Sequence, residues 1–187
     1  MLYLFDDIES FTEEALEASL PLLSEQRRER VLAYKPLLSR KLSALAWLLL
    51  AKALRESGIE QVPEMAFGEH GKPYFPSLPG LHFSLSHCPC AVACAVSDRP
   101  VGVDVESLRP YRPQLGRYVL SERELQRVEA SAESDREFAR LWTRKEALLK
   151  LDGTGLRNNL KGLLEERSEV QFSMHEEATY VCALCTR

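Results

Sequence analysis

The sequence predicts an α+β fold built from two similar lobes, and three observations carry that prediction. The chain repeats itself: shifted by 97 positions, Asp7-Ile8-Glu9-Ser10 falls on Asp104-Val105-Glu106-Ser107. At the same ungapped shift Leu23-Ser24-Glu25 falls on Leu120-Ser121-Glu122, and Arg30, Val31 and Ala33 fall on Arg127, Val128 and Ala130. Each half also holds apolar runs of strand length and periodic runs of helix length in one order. Finally, the turn signal Ser97-Asp98-Arg99-Pro100 divides them. The expected organisation is an N-terminal lobe, residues 1–98, and a C-terminal lobe, residues 99–187, related by pseudo-two-fold symmetry, with an active site in the cleft between them.

Each copy starts with a short apolar strand that meets acid. A helix follows, begun by Ser24 in the first copy and Ser121 in the second. Ser121-Glu122-Arg123-Glu124 fits a capping box, in which the serine and the glutamate three residues later satisfy each other's free backbone N–H groups. A second helix is expected over about 38–56 and about 135–151. Strands then close each unit, at about 81–87 and 91–97 in the first and about 168–174 and 178–185 in the second.

Composition sets the class. The chain has 187 residues, 45% hydrophobic and 28% charged, enough to bury a core without staples. The net charge of −4 argues against general nucleic-acid binding. The N-terminus meets acid at Asp6 and Asp7 with no basic start, and the longest apolar run, Leu45 to Ala51, is too short to cross a bilayer. A cytoplasmic, membrane-free protein is therefore expected, with its five cysteines reduced. Cys182-Ala183-Leu184-Cys185 has zinc-like spacing but lies in an apolar run that reads as a strand, so the thiols are expected to be small buried hydrophobes.

Residues 101–106 read Val-Gly-Val-Asp-Val-Glu. On a strand, alternate side chains share a face, which sets Gly102, Asp104 and Glu106 on one side and the three valines on the other. At roughly 3.3 Å per residue the two acids stand about 7 Å apart. They repel each other unless a cation or proton lies between them. Gly102 leaves room there for a ligand to approach. The bland alternative is a strand with one wet face. In the second helix, Phe138, Leu141, Trp142, Leu148 and Leu149 share one arc, Lys145 lies in its middle and Glu146 on its shoulder. A lysine on a core-facing stripe needs a partner or an exit to water, and an anionic ligand would supply one. The position 97 residues before Glu146 is Leu49, so only the second copy can assemble three acids. Three carboxylates suit a hard divalent cation, and magnesium commonly bridges carboxylates to substrate phosphates, whereas zinc favours His or Cys.

Four motifs occur in an order that resembles a known family: Gly71-Lys72-Pro73, Phe83-Ser84-Leu85-Ser86-His87, Gly102-Val103-Asp104-Val105-Glu106, and Trp142-Thr143-Arg144-Lys145-Glu146-Ala147-Leu148-Leu149-Lys150. Gly153-Thr154-Gly155-Leu156 follows. The chain resembles the 4′-phosphopantetheinyl transferases of the two-lobed monomeric kind that activate peptide and polyketide synthases. Ser84 departs from the pattern, which often has asparagine there.

The resemblance implies a transferase that moves phosphopantetheine from coenzyme A to a serine of an apo acyl or peptidyl carrier protein, with magnesium, releasing 3′,5′-ADP. It implies that Asp104, Glu106 and Glu146 bind the metal, with Glu146, Lys150 and Asp104 as catalytic residues. Glu146 is the family's favoured base, although a nearby metal would keep it ionised and weakly basic. Lys72, Ser86, His87, Arg27 and Arg30 are the implied contacts to the coenzyme's 3′-phosphate, and Lys145 is added as a further anion contact. Carrier proteins are acidic, so the stretch from Ser107 to Leu120, with Arg109, Arg112 and Arg117 among apolar residues, is the expected dock.

Overall fold

Apolar alternation in the strands builds two sheets that share one core. The computed structural model describes residues 1–155, 160–165, 167 and 169–187. In chain order the elements are β1 (Leu2–Phe5), α1 (Glu13–Ser19), α2 (Glu25–Ala33), α3 (Leu37–Glu56), β2 (Ala66–Phe67), β3 (Pro73–Tyr74), β4 (His82–Cys88), β5 (Ala91–Ser97), β6 (Val101–Ser107), α4 (Pro113–Val119), α5 (Glu122–Glu129), α6 (Ser134–Asp152), β7 (Gln171–Glu176) and β8 (Tyr180–Thr186). The first sheet has the order β1-β5-β4 and the second β6-β8-β7, all antiparallel; β2 and β3 form a separate hairpin. In both sheets the first strand pairs with the last, and the middle strand flanks it.

The inner faces pack on each other. Ala91, Ala93 and Ala95 of β5 meet Val101, Val103 and Val105 of β6 and Tyr180 and Cys182 of β8. The outer face of the first sheet, with Phe83, Cys94 and Val96, is covered by Leu50, Ala53 and Leu54 of α3. The outer face of the second, with Ala183 and Cys185, is covered by Leu141, Ala147 and Leu148 of α6. Cys182 and Cys185 therefore face opposite sides of β8 as buried thiols and cannot share a zinc ion.

Gly102 is where the second sheet touches its helix most closely. A Cβ there would overlap the Ala147 carbonyl oxygen and the Leu151 amide nitrogen of α6. The expectation that Gly102 makes room for a ligand is thus corrected: the room is filled by helix backbone.

The helix starts follow the sequence signals. Ser24 caps α2 by accepting the Arg27 N–H, and the Ser121–Glu124 capping box opens α5 with both bonds present. α6 ends at Gly153, whose φ of 68° is left-handed, the usual way for a helix to stop. The strand expected at about 168–174 begins at Gln171, and Ser168 and Leu156 lie outside the described residues. The short helices α1 and α4 and the β2–β3 hairpin were not expected from the sequence. No helix among the described residues is long and apolar enough to cross a membrane.

Candidate active site

β6 delivers two acids to the face of α6. Asp104 is 4% exposed, and its Oδ1 accepts from Ser86 Oγ at 2.8 Å and from Lys150 Nζ at 2.6 Å. Its other oxygen, Oδ2, is buried with no hydrogen-bond partner among the described residues. Glu106 is half-buried and accepts from the Trp142 indole N–H at 3.2 Å. Glu146, one turn before Lys150 on α6, is also half-buried.

These acids feel one another. Burial pushes the Glu106 carboxyl above its ordinary range, and the charge of Asp104 adds to the rise; the Trp142 bond, Arg109 and Lys150 oppose it. Glu146 is raised by burial, then by Asp104, with Glu106 adding and Lys150 opposing. Three partly desolvated carboxylates with Lys150 as the nearby cation form a site short of positive charge. Among the described residues no three His, Cys, Asp or Glu side chains gather closely enough to hold a metal ion as they stand, and the Lys150 ammonium occupies the approach to Asp104.

The expected phosphate contacts do not share one hollow: Lys72 lines one, Arg27 and Arg30 line another, and Ser86 and His87 line neither. A cavity of about 320 Å³ is lined by Lys72, Ser84, Glu146, Lys150 and Gly153 among others. Lys72, on the turn joining β2 to β3, donates to Leu151 O at 2.8 Å and Val101 O at 3.3 Å, and burial lowers its pKa. Arg27 and Arg30 line a second hollow of about 760 Å³ beside Trp47 and Met65. Arg27 lies over the Trp47 ring at 5.1 Å, and burial, followed by the charge of Arg30, lowers its pKa. His87 is exposed on β4, yet desolvation lowers its pKa first, then Lys150, with Arg30 and Arg27 adding. One positive field from both halves thus reaches His87.

Residues 100–185 match the family model described as the 4′-phosphopantetheinyl transferase superfamily. The 4′-phosphopantetheinyl transferase AcpT of Salmonella typhimurium is 37% identical over 139 residues, which cover 71% of this chain and 69% of that protein. The chain belongs to the 4′-phosphopantetheinyl transferase superfamily. The 4′-phosphopantetheinyl transferase psf-1 of Bacillus pumilus is 27% identical over 191 residues, covering 92% of this chain and 82% of that one. A 4′-phosphopantetheinyl transferase of Bacillus subtilis is 35% identical over 96 residues, 49% of this chain and 43% of the relative, so that match spans less than half of it.

Two sites in this superfamily member differ from the expectation. Lys145 is fully buried, with its three N–H groups on Val119 O at 3.0 Å, Glu124 Oε2 at 2.7 Å and Leu160 O at 2.6 Å. It is therefore not an anion ligand but a pin between α6, the start of α5 and the segment at Leu160. Its partner was in plain sight: a lysine on a core stripe asks for an acid, and Glu124 of the capping box is one. Ser86 has its one O–H on Asp104, while its oxygen accepts from Lys150 at 2.8 Å and from the Val105 N–H at 3.3 Å. A phosphate contact from Ser86 requires it to let go of Asp104.

Two other residues take on roles that the sequence does not signal. Trp142 orients Glu106, and the Ser84 hydroxyl accepts from the Val103 N–H at 3.0 Å. Within the basic stretch, residues 113–119 form α4, and Arg109, Arg112 and Leu115 line a hollow of about 420 Å³ that opens beside Glu106.

Proposed function

We propose that this chain transfers 4′-phosphopantetheine from coenzyme A to a serine of an apo acyl or peptidyl carrier protein, with magnesium, and releases 3′,5′-ADP. The observation that carries the reading is the carboxylate trio, with Asp104 holding a buried oxygen that has no partner. That orphaned oxygen, and the burial and Asp104 charge that raise both Glu106 and Glu146, fit a divalent cation held by Asp104, Glu106 and Glu146. When bound, magnesium supplies charge neutralisation on the pyrophosphate as its anhydride bond breaks.

The chain's own residues do the rest. Arg27, Arg30 and Lys72 bring positive charge to the 3′-phosphate, His87, whose pKa is lowered, offers it a ring N–H, and Ser86 joins once freed from Asp104. Lys150 leaves Asp104 for a phosphate oxygen of the substrate. Glu146 accepts the proton of the carrier serine, directly or through a water, as the serine oxygen bonds to the β-phosphorus and the anhydride oxygen departs with 3′,5′-ADP. The hollow at Arg109, Arg112 and Leu115, next to Glu106, suits the docking of an acidic carrier. On this reading residues 1–98 and 99–187 are two lobes, and the chain works as a cytoplasmic monomer. The cavity lined by Lys72 and Ser84 of the first half and by Glu146 and Lys150 of the second supports a cleft between them.

The test is to mix the protein with apo carrier proteins, coenzyme A and magnesium, and to weigh the carriers. A gain of one phosphopantetheine on at least one carrier is expected. No gain on carriers from fatty-acid, polyketide and peptide systems overturns the reading.

A further inference from the structure

β6 is an edge strand. Its one ladder runs to β8, while on its other side stands β4, the edge of the first sheet. No backbone ladder joins β4 to β6 among the described residues. In an antiparallel strand, alternate N–H groups point away from the paired partner. Val103 and Val105 carry two such groups, and both residues are buried. A buried N–H needs an acceptor. Two serine hydroxyls provide them: Ser84 Oγ takes the Val103 N–H at 3.0 Å, and Ser86 Oγ takes that of Val105 at 3.3 Å. Both serines are buried, 5% and 8% exposed, and alternate with Phe83 and Leu85 along β4.

The seam between the halves is thus closed by side chains in place of ladder rungs. Ser86 also belongs to the Asp104–Lys150 network. Among the described residues Ser84 has no hydrogen bond to Asp104 or Lys150, yet it holds the amide immediately before Asp104. On the other side of that amide, Gly102 is pressed against the backbone of α6. A strand shifted by one residue would turn Asp104 and Glu106 to the opposite face.

We propose that Ser84 is a positioning residue: its hydroxyl stands in for the missing rung between β4 and β6 and holds the acid-bearing strand in register with the strand that carries Ser86 and His87. This rests on the function proposed above. Ser84 does not meet substrate in this role; it acts through the Val103 amide on Asp104.

The experiment compares wild type with Ser84→Ala and Ser84→Thr, which keeps the hydroxyl. Amide exchange is read at Val103 and at Asp104, manganese affinity by calorimetry with coenzyme A present, and kcat and KM with an apo carrier. In Ser84→Ala the Val103 amide should exchange at least about tenfold faster while Asp104 stays protected by β8. Manganese binding should weaken about threefold to tenfold, and kcat should fall about tenfold with KM for coenzyme A within about twofold, as expected when geometry rather than ground-state binding is lost. Ser84→Thr should restore all three. Unchanged exchange at Val103, or faster exchange with wild-type manganese affinity, overturns the proposal. If Ser84→Ala does not fold, Ser84→Cys, close in size with a weak acceptor, takes its place in the comparison. The exchange and manganese readings need no transfer assay, so a wild-type chain that transfers nothing refutes the activity alone, and those two readings still decide the role of Ser84.

Discussion

The two halves share a strand order but fill the same place with opposite chemistry. At the centre of β5, Cys94 pairs with Tyr3; at the centre of β8, Ala183 pairs with Asp104. Tyr3 and Leu49 pack on the apolar cluster under α3. In the second half the corresponding strand and helix positions hold Asp104 and Glu146, and Lys150 stands where α3 has the buried Ala53. The first half uses the strand–helix junction as core, and the second leaves it polar, half-buried and short of positive charge. One scaffold thus carries an apolar core on one side and the candidate site on the other, and a fold of this kind does not by itself require either.

The largest effect should come from making the second half resemble the first. Glu146→Leu copies the residue of α3, and transfer should fall about a thousandfold, the scale of losing several kcal/mol of electrostatic stabilisation. Thermal unfolding should show a fold as stable as wild type or more so, because a carboxyl whose pKa is raised by burial and by Asp104 has been removed. Retention of wild-type transfer would move the base and the metal ligand elsewhere.

Next is the pin. The Lys145–Glu124 pair has no equivalent in the hydrogen bonds of α3, whose partner position is the apolar Leu48. Lys145→Met strands Glu124 without its cation and should cost about 3–5 kcal/mol in urea or thermal unfolding, whereas Lys145→Met with Glu124→Gln should recover part of it. Equal loss in both variants would show that the ion pair is not what matters there.

The smallest effect is on pH. Glu106 and Glu146 are raised in the folded chain, so between the ordinary carboxylate range and their raised values the native state binds more protons than the unfolded one. Their contribution to stability therefore falls as pH rises through that window. Glu176, lowered chiefly by its bond from Arg140, works in the opposite direction, so the test is the difference between wild type and Glu146→Gln without added metal. The variant should lose less stability than wild type as pH rises above the ordinary carboxylate range. Parallel curves would mean that Glu146 is not raised.

Much of this was legible where local physics decides the outcome. The strand at 91–97 was placed to the residue, because its apolar run is bounded by turns. Ser24 and Ser121 cap their helices as read, because capping is a contact between near neighbours. The valine and acid faces of β6 follow from a period of two. The repeat was legible only in part. The shift of 97 carries Leu37, where α3 starts, onto Ser134, where α6 starts. It does not carry the acids: Asp7 and Glu9 are exposed beyond the end of β1, while Asp104 lies buried inside β6. Strand register is set by pairing across the sheet, and a sequence shift does not contain it. For the same reason the sequence does not show that Gly102 meets helix backbone or that Lys145 already has its partners, since both are long-range contacts. α1 and α4, seven residues each, are too short to show a helical period.

The central claim is that the second half alone holds the cation. The direct measurement is a calorimetric titration of magnesium, with coenzyme A present, into wild type, Asp104→Ala and Asp7→Ala, the acid that the repeat sets opposite Asp104. One site is expected in wild type and in Asp7→Ala, and none in Asp104→Ala. Full binding by Asp104→Ala, or its loss in Asp7→Ala, would contradict the account.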